Sequence, residues 1–60
     1  MWLKTESRLI DLSNIADIEC RVNGLIFIDK ARNFIVVERN SPEAAQALFE
    51  HVAALLGAKE

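Results

Sequence analysis

Two uninterrupted apolar segments constrain the fold of this chain more than any other feature. Residues 25–28 (Leu-Ile-Phe-Ile) and 34–37 (Phe-Ile-Val-Val) are too short for helices and are rich in β-branched and aromatic residues, which favours strands. Successive side chains of a strand point to opposite faces, so a sheet built from these strands carries large apolar side chains on both faces. The fold must therefore cover two sides of the sheet or leave one side for a partner.

Turn residues set the order of the other strands. Asn23-Gly24 predicts a type I′ hairpin turn, because both residues tolerate the positive φ that this turn requires, and residues 18–22 form the strand before it. The polar residues 29–33 predict a loop before the strand at 34–37. At the N-terminus, residues 2–5 and 8–12 predict a further hairpin around Glu6-Ser7. The order is therefore an antiparallel meander of four or five short strands.

The last third of the chain predicts a helix over residues 42–56. Ser41-Pro42-Glu43 is typical of a helix start, with an N-cap, a proline in the first helical position and an acid in the first turn. Gly57 predicts a left-handed cap, and Lys59 would lie near the negative end of the helix dipole. Spacings of three and four place one apolar stripe on the helix, made of Ala45, Leu48, Phe49, Val52 and Leu56.

Pairing across the turns predicts which residues share a face. With Val22 opposite Leu25, and Phe27 opposite Phe34, one face is wholly apolar and the helix is its natural cover. That covered face would consist of Ile18, Cys20, Val22, Leu25, Phe27, Phe34 and Val36. The second face would carry Ile26, Ile28, Ile35 and Val37.

The size of the chain favours a partner for the second face. Sixty residues allow one domain, residues 1–60, whose stability is marginal because so small a domain buries little surface. Cys20 and His51 are the only cysteine and histidine, which excludes a disulfide within the chain and a Cys/His zinc site, and no cofactor is expected. Oligomerisation is the remaining common means of stabilisation, and 52% of the residues are apolar.

Two explanations of the second face stay open. The N-terminal hairpin could fold over it, or the same face of a second protomer could cover it across a two-fold axis. A mixture of the two is also compatible with the pattern. We expect a homo-oligomer, with a dimer as the first hypothesis, whose interface is formed by Ile26, Ile28, Ile35 and Val37, with Trp2 as an additional anchor. An unrelated protein is the alternative partner, and the sequence does not distinguish it from a second copy.

Charge and terminal pattern restrict the other functions. The net charge of −2 and the pI of about 5.3 argue against a dedicated nucleic-acid-binding protein. No segment approaches the roughly 20 apolar residues that span a bilayer, so we expect no membrane partner. The N-terminus lacks the pattern of a signal peptide, and with the unpaired Cys20 this favours the cytoplasm.

Two rival functions rest on individual residues. Lys30, Arg32 and Arg39 could form a basic patch that contacts nucleic acid, although Asp29 and Glu38 interleave with them. A thiol enzyme would need Cys20 and His51 within hydrogen-bonding distance of each other. Because Cys20 alternates in phase with Ile18 and Val22, the sequence favours a packed thiol, and we expect no enzymatic activity.

The N-terminus resembles that of short uncharacterised bacterial and mobile-element proteins. The similarity lies in Met1-Trp2-Leu3-Lys4-Thr5, in the segment from Leu9 to Leu12, and in the helix start from Ser41 to Ala45. Ser7 replaces the usual turn glycine, and Asp11 replaces an asparagine. The resemblance implies the same order of strands and terminal helix, and it brings no activity or site residues. We expect an α+β domain, with one C-terminal helix packed on one face of the meander, acting as a non-enzymatic interaction module of unknown role.

Overall fold

The structure is a computed structural model that describes residues 1–57, and it has the α+β fold that the sequence predicts. Five antiparallel strands precede one C-terminal helix. The elements are β1 (Trp2–Lys4), β2 (Leu9–Asp11), a 3-10 turn (Leu12–Asn14), β3 (Ile15–Arg21), β4 (Gly24–Asp29), β5 (Phe34–Glu38) and α1 (Pro42–Leu55). The strands form two sheets: β1 pairs with β2, and the other three form a sheet in the order β3-β4-β5.

Helix α1 begins at the predicted cap and ends one residue earlier than predicted. Ser41 is the N-cap, and its Oγ accepts a hydrogen bond from the backbone N–H of Ala44 at 3.1 Å. Gly57 adopts the left-handed conformation with φ +67°, and its N–H donates to the carbonyl oxygen of Ala54. The left-handed cap is therefore confirmed, whereas the interaction predicted for Lys59 lies outside the described residues.

The predicted turn between β3 and β4 is wrong in position and in type. The loop consists of Val22 and Asn23, because Arg21 pairs with Gly24 and Cys20 with Leu25. None of the loop residues has a positive φ, and neither has Gly24, so the turn is not type I′. The error moves the predicted pairing by two residues, which preserves the face of each strand residue but places Val22 in the turn, where it is 75% exposed.

The pairing between β4 and β5 differs from the prediction by one residue. Phe27 pairs with Ile35, and Phe34 pairs with Ile28. The cause lies in the loop, where the Asp29 carboxylate accepts hydrogen bonds from the backbone N–H groups of Ala31 and Asn33 at 2.9 and 2.8 Å. A slip of one residue exchanges the two faces of a strand. Ile35 and Val37 therefore lie on the covered face, contrary to the prediction, and Phe34 and Val36 lie on the opposite one.

One side of the three-stranded sheet, which we call the inner face, is covered by two elements. Helix α1 packs on β3 and β4 and contributes Val52 to the core. The β1–β2 hairpin contributes Leu3 and Ile10 to the same buried cluster. Both covers thus lie on one side of the sheet. The inner-face residues are Ile18, Cys20, Leu25, Phe27, Ile35 and Val37.

Candidate functional site

The opposite side of the sheet carries four large apolar side chains, and we call Ile26, Ile28, Phe34 and Val36 the outer face. The register aligns them in two rows across the strands: Ile28 lies beside Phe34, and Ile26 lies beside Val36. Ile26 and Ile28, on the central strand, are half-buried by their neighbours. Phe34 and Val36, on the edge strand, are 68% and 58% exposed. The exposure of the outer face is therefore concentrated on β5.

Charged residues border the outer face on one side only. Asp17 and Glu19 of β3 extend the two rows of the outer face beyond β4, and Arg21 lies on the same side of the sheet beside Gly24. The guanidinium of Arg21 forms an ion pair with the carboxylate of Glu19. The side of the sheet that carries the outer face is thus polar along β3 and apolar along β4 and β5.

The structure separates the residues that the sequence assigned to one interface. Ile26 and Ile28 lie on the outer face, but Val37 is buried in the core and Ile35 packs against that core. Trp2 is 63% exposed on β1, next to the buried Leu3, so it does not anchor the N-terminus in the core. Phe34 and Val36 were missed as outer-face residues. The Asp29-to-Asn33 spacing, which is typical of a side-chain-capped turn, was the signal that could have set the register.

The three cations of the nucleic-acid hypothesis do not form one cluster. Lys30 and Arg32 lie in the β4–β5 loop, whereas Arg39 follows the far end of β5. Five strand residues extend roughly 17 Å, so the two ends of β5 are well separated. Arg39 is also engaged, because its guanidinium lies 3.2 Å from the carboxylate of Glu6 and donates to the carbonyl oxygen of Glu38. The β4–β5 loop and the exit of β5 lie at opposite ends of the sheet, so the three cations do not form the single basic patch that the rival function requires.

Cys20 and His51 are placed in different surroundings. Cys20 is half-buried on the inner face, and its Sγ lies 3.7 Å from Oε1 of Gln46. His51 is exposed on α1, five residues beyond Gln46, which corresponds to about 7.5 Å along the helix axis. The thiol therefore faces a side-chain amide. Within residues 1–57, no three side chains of His, Cys, Asp or Glu are grouped as metal ligands.

The carboxylates of Glu6, Asp11 and Asp29 have lowered pKa values, and each has a local structural role. Hydrogen bonds from Asn33, first from its backbone N–H, lower the pKa of Asp29. The side-chain hydroxyl of Ser13 lowers the pKa of Asp11, which caps the 3-10 turn. A backbone hydrogen bond and then the charge of Arg39 lower the pKa of Glu6. These carboxylates fix turns and do not form an acid–base pair.

A separate apolar groove lies between the second half of α1 and the start of β3. It has a volume of about 320 Å³. Its walls include Leu12, Ile15, Phe49 and Leu56, with Asp17 as the charged residue at its border. Asp17 is the one polar residue among the described residues that line this groove. The groove therefore offers an apolar cavity without a set of polar side chains that could orient a ligand.

Neither a membrane-spanning helix nor a match to a known protein indicates the function of the described chain. Among the described residues, no helix combines the length and the apolar character needed to cross a membrane. No protein-family model matches the chain, and searches of curated proteins and of solved structures found no significant match. The resemblance to short bacterial and mobile-element proteins therefore stays a prediction.

Proposed function

We propose that the protein is a non-enzymatic interaction module that self-associates through its outer face. The observation that carries the proposal is the exposure of Phe34 and Val36 beside Ile26 and Ile28. Contiguous apolar patches of this kind are typical of interaction sites on small proteins. The helix and the N-terminal hairpin both pack on the inner face, so the hairpin does not provide the cover that the sequence left open.

A second copy of the chain is the partner that we propose. The chain has one cysteine and one histidine, so neither an internal disulfide nor a Cys/His zinc site can stabilise it. Association is the remaining common means by which a domain of this size gains stability. A two-fold dimer brings the same patch of both protomers together, so one apolar surface is sufficient. The half-buried free thiol of Cys20 suits a reducing compartment such as the cytoplasm.

The two rival functions have less support from the geometry. A nucleic-acid site would retain only Lys30 and Arg32 at one end of the sheet, since Arg39 lies at the other end and pairs with Glu6. A thiol enzyme would need a base near Cys20, whose Sγ instead lies within hydrogen-bonding distance of the side-chain amide of Gln46. An interaction module requires neither arrangement.

Adjacent residues of β5 provide a matched test. Val36→Lys places a charge on the outer face and Val37→Lys places the same charge in the core. We expect sedimentation of the wild-type protein to show a dimer that dissociates on dilution from millimolar to micromolar concentration. Val36→Lys should weaken the dimer at least about tenfold while keeping the far-UV circular dichroism of the wild type, because burying one valine contributes about 1.5–3 kcal/mol.

The control variant has a different expected outcome. Val37→Lys should unfold the protomer, because an unpaired charge in the core is strongly destabilising. Ile35→Lys, which would have dissociated the dimer under the predicted register, should likewise unfold or severely destabilise the chain. A wild-type protein that remains monomeric at millimolar concentration would contradict the proposal.

A further inference from the structure

The free edge of β5 exposes unpaired backbone groups on the same residues that expose apolar side chains. The N–H of Arg39 donates to the carbonyl of Asn23, and the N–H of Asp29 donates to the carbonyl of Asn33. Hydrogen-bonded pairs recur every two residues in an antiparallel ladder, so Ile35 and Val37 also direct their backbone groups towards β4. The backbone groups of Phe34, Val36 and Glu38 therefore point away from the sheet.

The two edges of the three-stranded sheet differ in how they are protected. The register between β3 and β4 shifts between Ile15 and Asp17, which is the pattern of a β-bulge, and charged side chains follow along β3. Bulges and charges are devices that prevent edge-to-edge pairing. Strand β5 reads Phe-Ile-Val-Val-Glu, with no proline, lysine or register shift. Only the β5 edge is thus open to a further strand.

We infer that β5 pairs with β5 of a second copy in an antiparallel arrangement, which joins the two sheets edge to edge. This inference rests on the proposed self-association and specifies its geometry: the two outer faces lie side by side in one sheet, and the exposed side chains of Phe34 and Val36 pack against each other across the joined edge. Phe34 lies opposite the partner's Val36, and Val36 lies opposite the partner's Phe34. The two-fold axis passes between the two copies of Ile35. Each of these two pairs exchanges two backbone hydrogen bonds, about four in all.

Charge complementarity favours this register over the one that places Phe34 opposite the partner's Glu38. With Phe34 opposite the partner's Val36, the β4–β5 loop that carries Arg32 lies beside the end of the partner's β5 that carries Glu38, and the symmetry repeats this proximity. Arg32 and Glu38 are both exposed, and neither forms an ion pair with another described residue. Moving the register by two residues would place Phe34 opposite a Glu38 carboxylate, which is an unfavourable cross-strand pair.

The N-terminal hairpin does not pair with the free edge of β5. It forms its own two-stranded sheet, and no backbone hydrogen bond joins it to β5 within residues 1–57. Its turn faces the second half of β5 across a pocket that is lined by residues 5–8 and 36–39, and Glu6 forms an ion pair with Arg39 there. Phe34 lies at the other end of β5, where its side chain is 68% exposed, and Val36 lies in the middle of the strand and is 58% exposed.

Backbone N-methylation tests the edge directly, and a chain of this length is accessible by chemical synthesis. N-methyl-Val36 removes one donor from the free edge and retains the side chain. We expect the dimer dissociation constant to rise at least about tenfold, with unchanged far-UV circular dichroism. N-methyl-Cys20 is the matched control, because Cys20 directs its N–H to the free edge of β3. It should leave the dissociation constant unchanged within about twofold.

The outcomes separate this inference from the proposed function. If N-methyl-Val36 dimerises like the wild type, edge pairing is wrong, while association through the outer face stands if Val36→Lys still dissociates the dimer. If N-methyl-Cys20 weakens the dimer as much as N-methyl-Val36, the assignment to β5 is wrong. A wild-type protein that is monomeric at every concentration overturns both.

Hydrogen exchange of the unmodified protein gives a second measurement that does not depend on a variant. Above the dissociation constant, the amide protons of Phe34 and Val36 should exchange as slowly as those of Ile35, and dilution should make them fast. Fast exchange in the dimer would overturn the edge pairing.

The register has its own test by charge reversal. Arg32→Glu and Glu38→Arg should each weaken the dimer, and the double variant should recover most of the loss. A double variant that is as weak as the singles would overturn this register.

Discussion

A Cβ atom on Gly24 would lie 2.3 Å from the carbonyl oxygen of Val37. A glycine is therefore needed here because β4 and β5 approach each other closely at this position. Gly24 has no positive φ, so the turn itself does not require a glycine. We expect Gly24→Ala to destabilise the protomer by about 1–3 kcal/mol, because overpacking next to backbone atoms forces the strands apart. Urea unfolding measures the change. A variant within error of the wild type would show that the strands are not held this closely.

Arg32 is the one non-glycine residue of the described chain with a positive φ, +71°. Glycine adopts this conformation without the Cβ clash, so Arg32→Gly should stabilise the protomer by about 0.5–1 kcal/mol. The measurement is thermal unfolding at a concentration where the monomer dominates. Ala31→Gly in the same loop is the control and should destabilise. An Arg32→Gly variant that loses stability would contradict the strained loop.

Asp29 should contribute stability that depends on pH. Hydrogen bonds from Asn33 and Ala31 hold the pKa of this carboxylate below its ordinary value in the folded state. Its contribution is therefore present above the ordinary pKa of about 3.9 and is lost as the pH falls through the lower, folded pKa. We expect Asp29→Asn to reduce stability at pH 7 and to differ less from the wild type in strong acid. Asp17→Asn serves as the charge-matched control, and an equal pH dependence for both variants would contradict the role of Asp29.

Ser41 caps α1 through its side-chain oxygen, which accepts the N–H of Ala44. Ser41→Ala should cost about 1 kcal/mol, because one backbone donor at the helix start loses its partner. For a domain of this size the midpoint of thermal unfolding should fall by about 4–8 °C. Ser41→Asp should retain most of the stability, since a carboxylate caps equally well. Equal losses for both substitutions would show that the cap is not responsible.

The sequence predicted local elements better than the pairing between them. Ser41-Pro42 and Gly57 defined the helix because capping depends on neighbouring residues. The strands were likewise predicted from apolar residues that are adjacent in the sequence. The turn at Asn23-Gly24 was misread because the need for a glycine came from β5, a segment 13 residues further along the chain. A contact between residues so far apart in the sequence cannot be predicted from the residues beside the turn.

The residues that form the candidate site depended on the β4–β5 loop, because a change of one residue in the pairing exchanges the two faces of β5. An apolar second face was predicted correctly, and Ile26 and Ile28 were placed on it, but the assignment of Ile35 and Val37 was wrong. Every residue of β5 is apolar from Phe34 to Val37, so hydrophobic alternation could not fix the register. Only the hydrogen bonds of Asp29 within the loop decided which β5 residues face outwards.

The bulged and charged strand β3 determines how far an assembly built on this sheet can grow. Two open edges per protomer would let copies add at both sides without limit and produce a fibre. In the proposed dimer, a two-fold pairing of β5 would use the open edge of both copies and would leave β3 at the perimeter, where the register shift near Ile15 and the charged side chains disfavour another strand. Self-assembly through the sheet would then terminate at a stoichiometry of two.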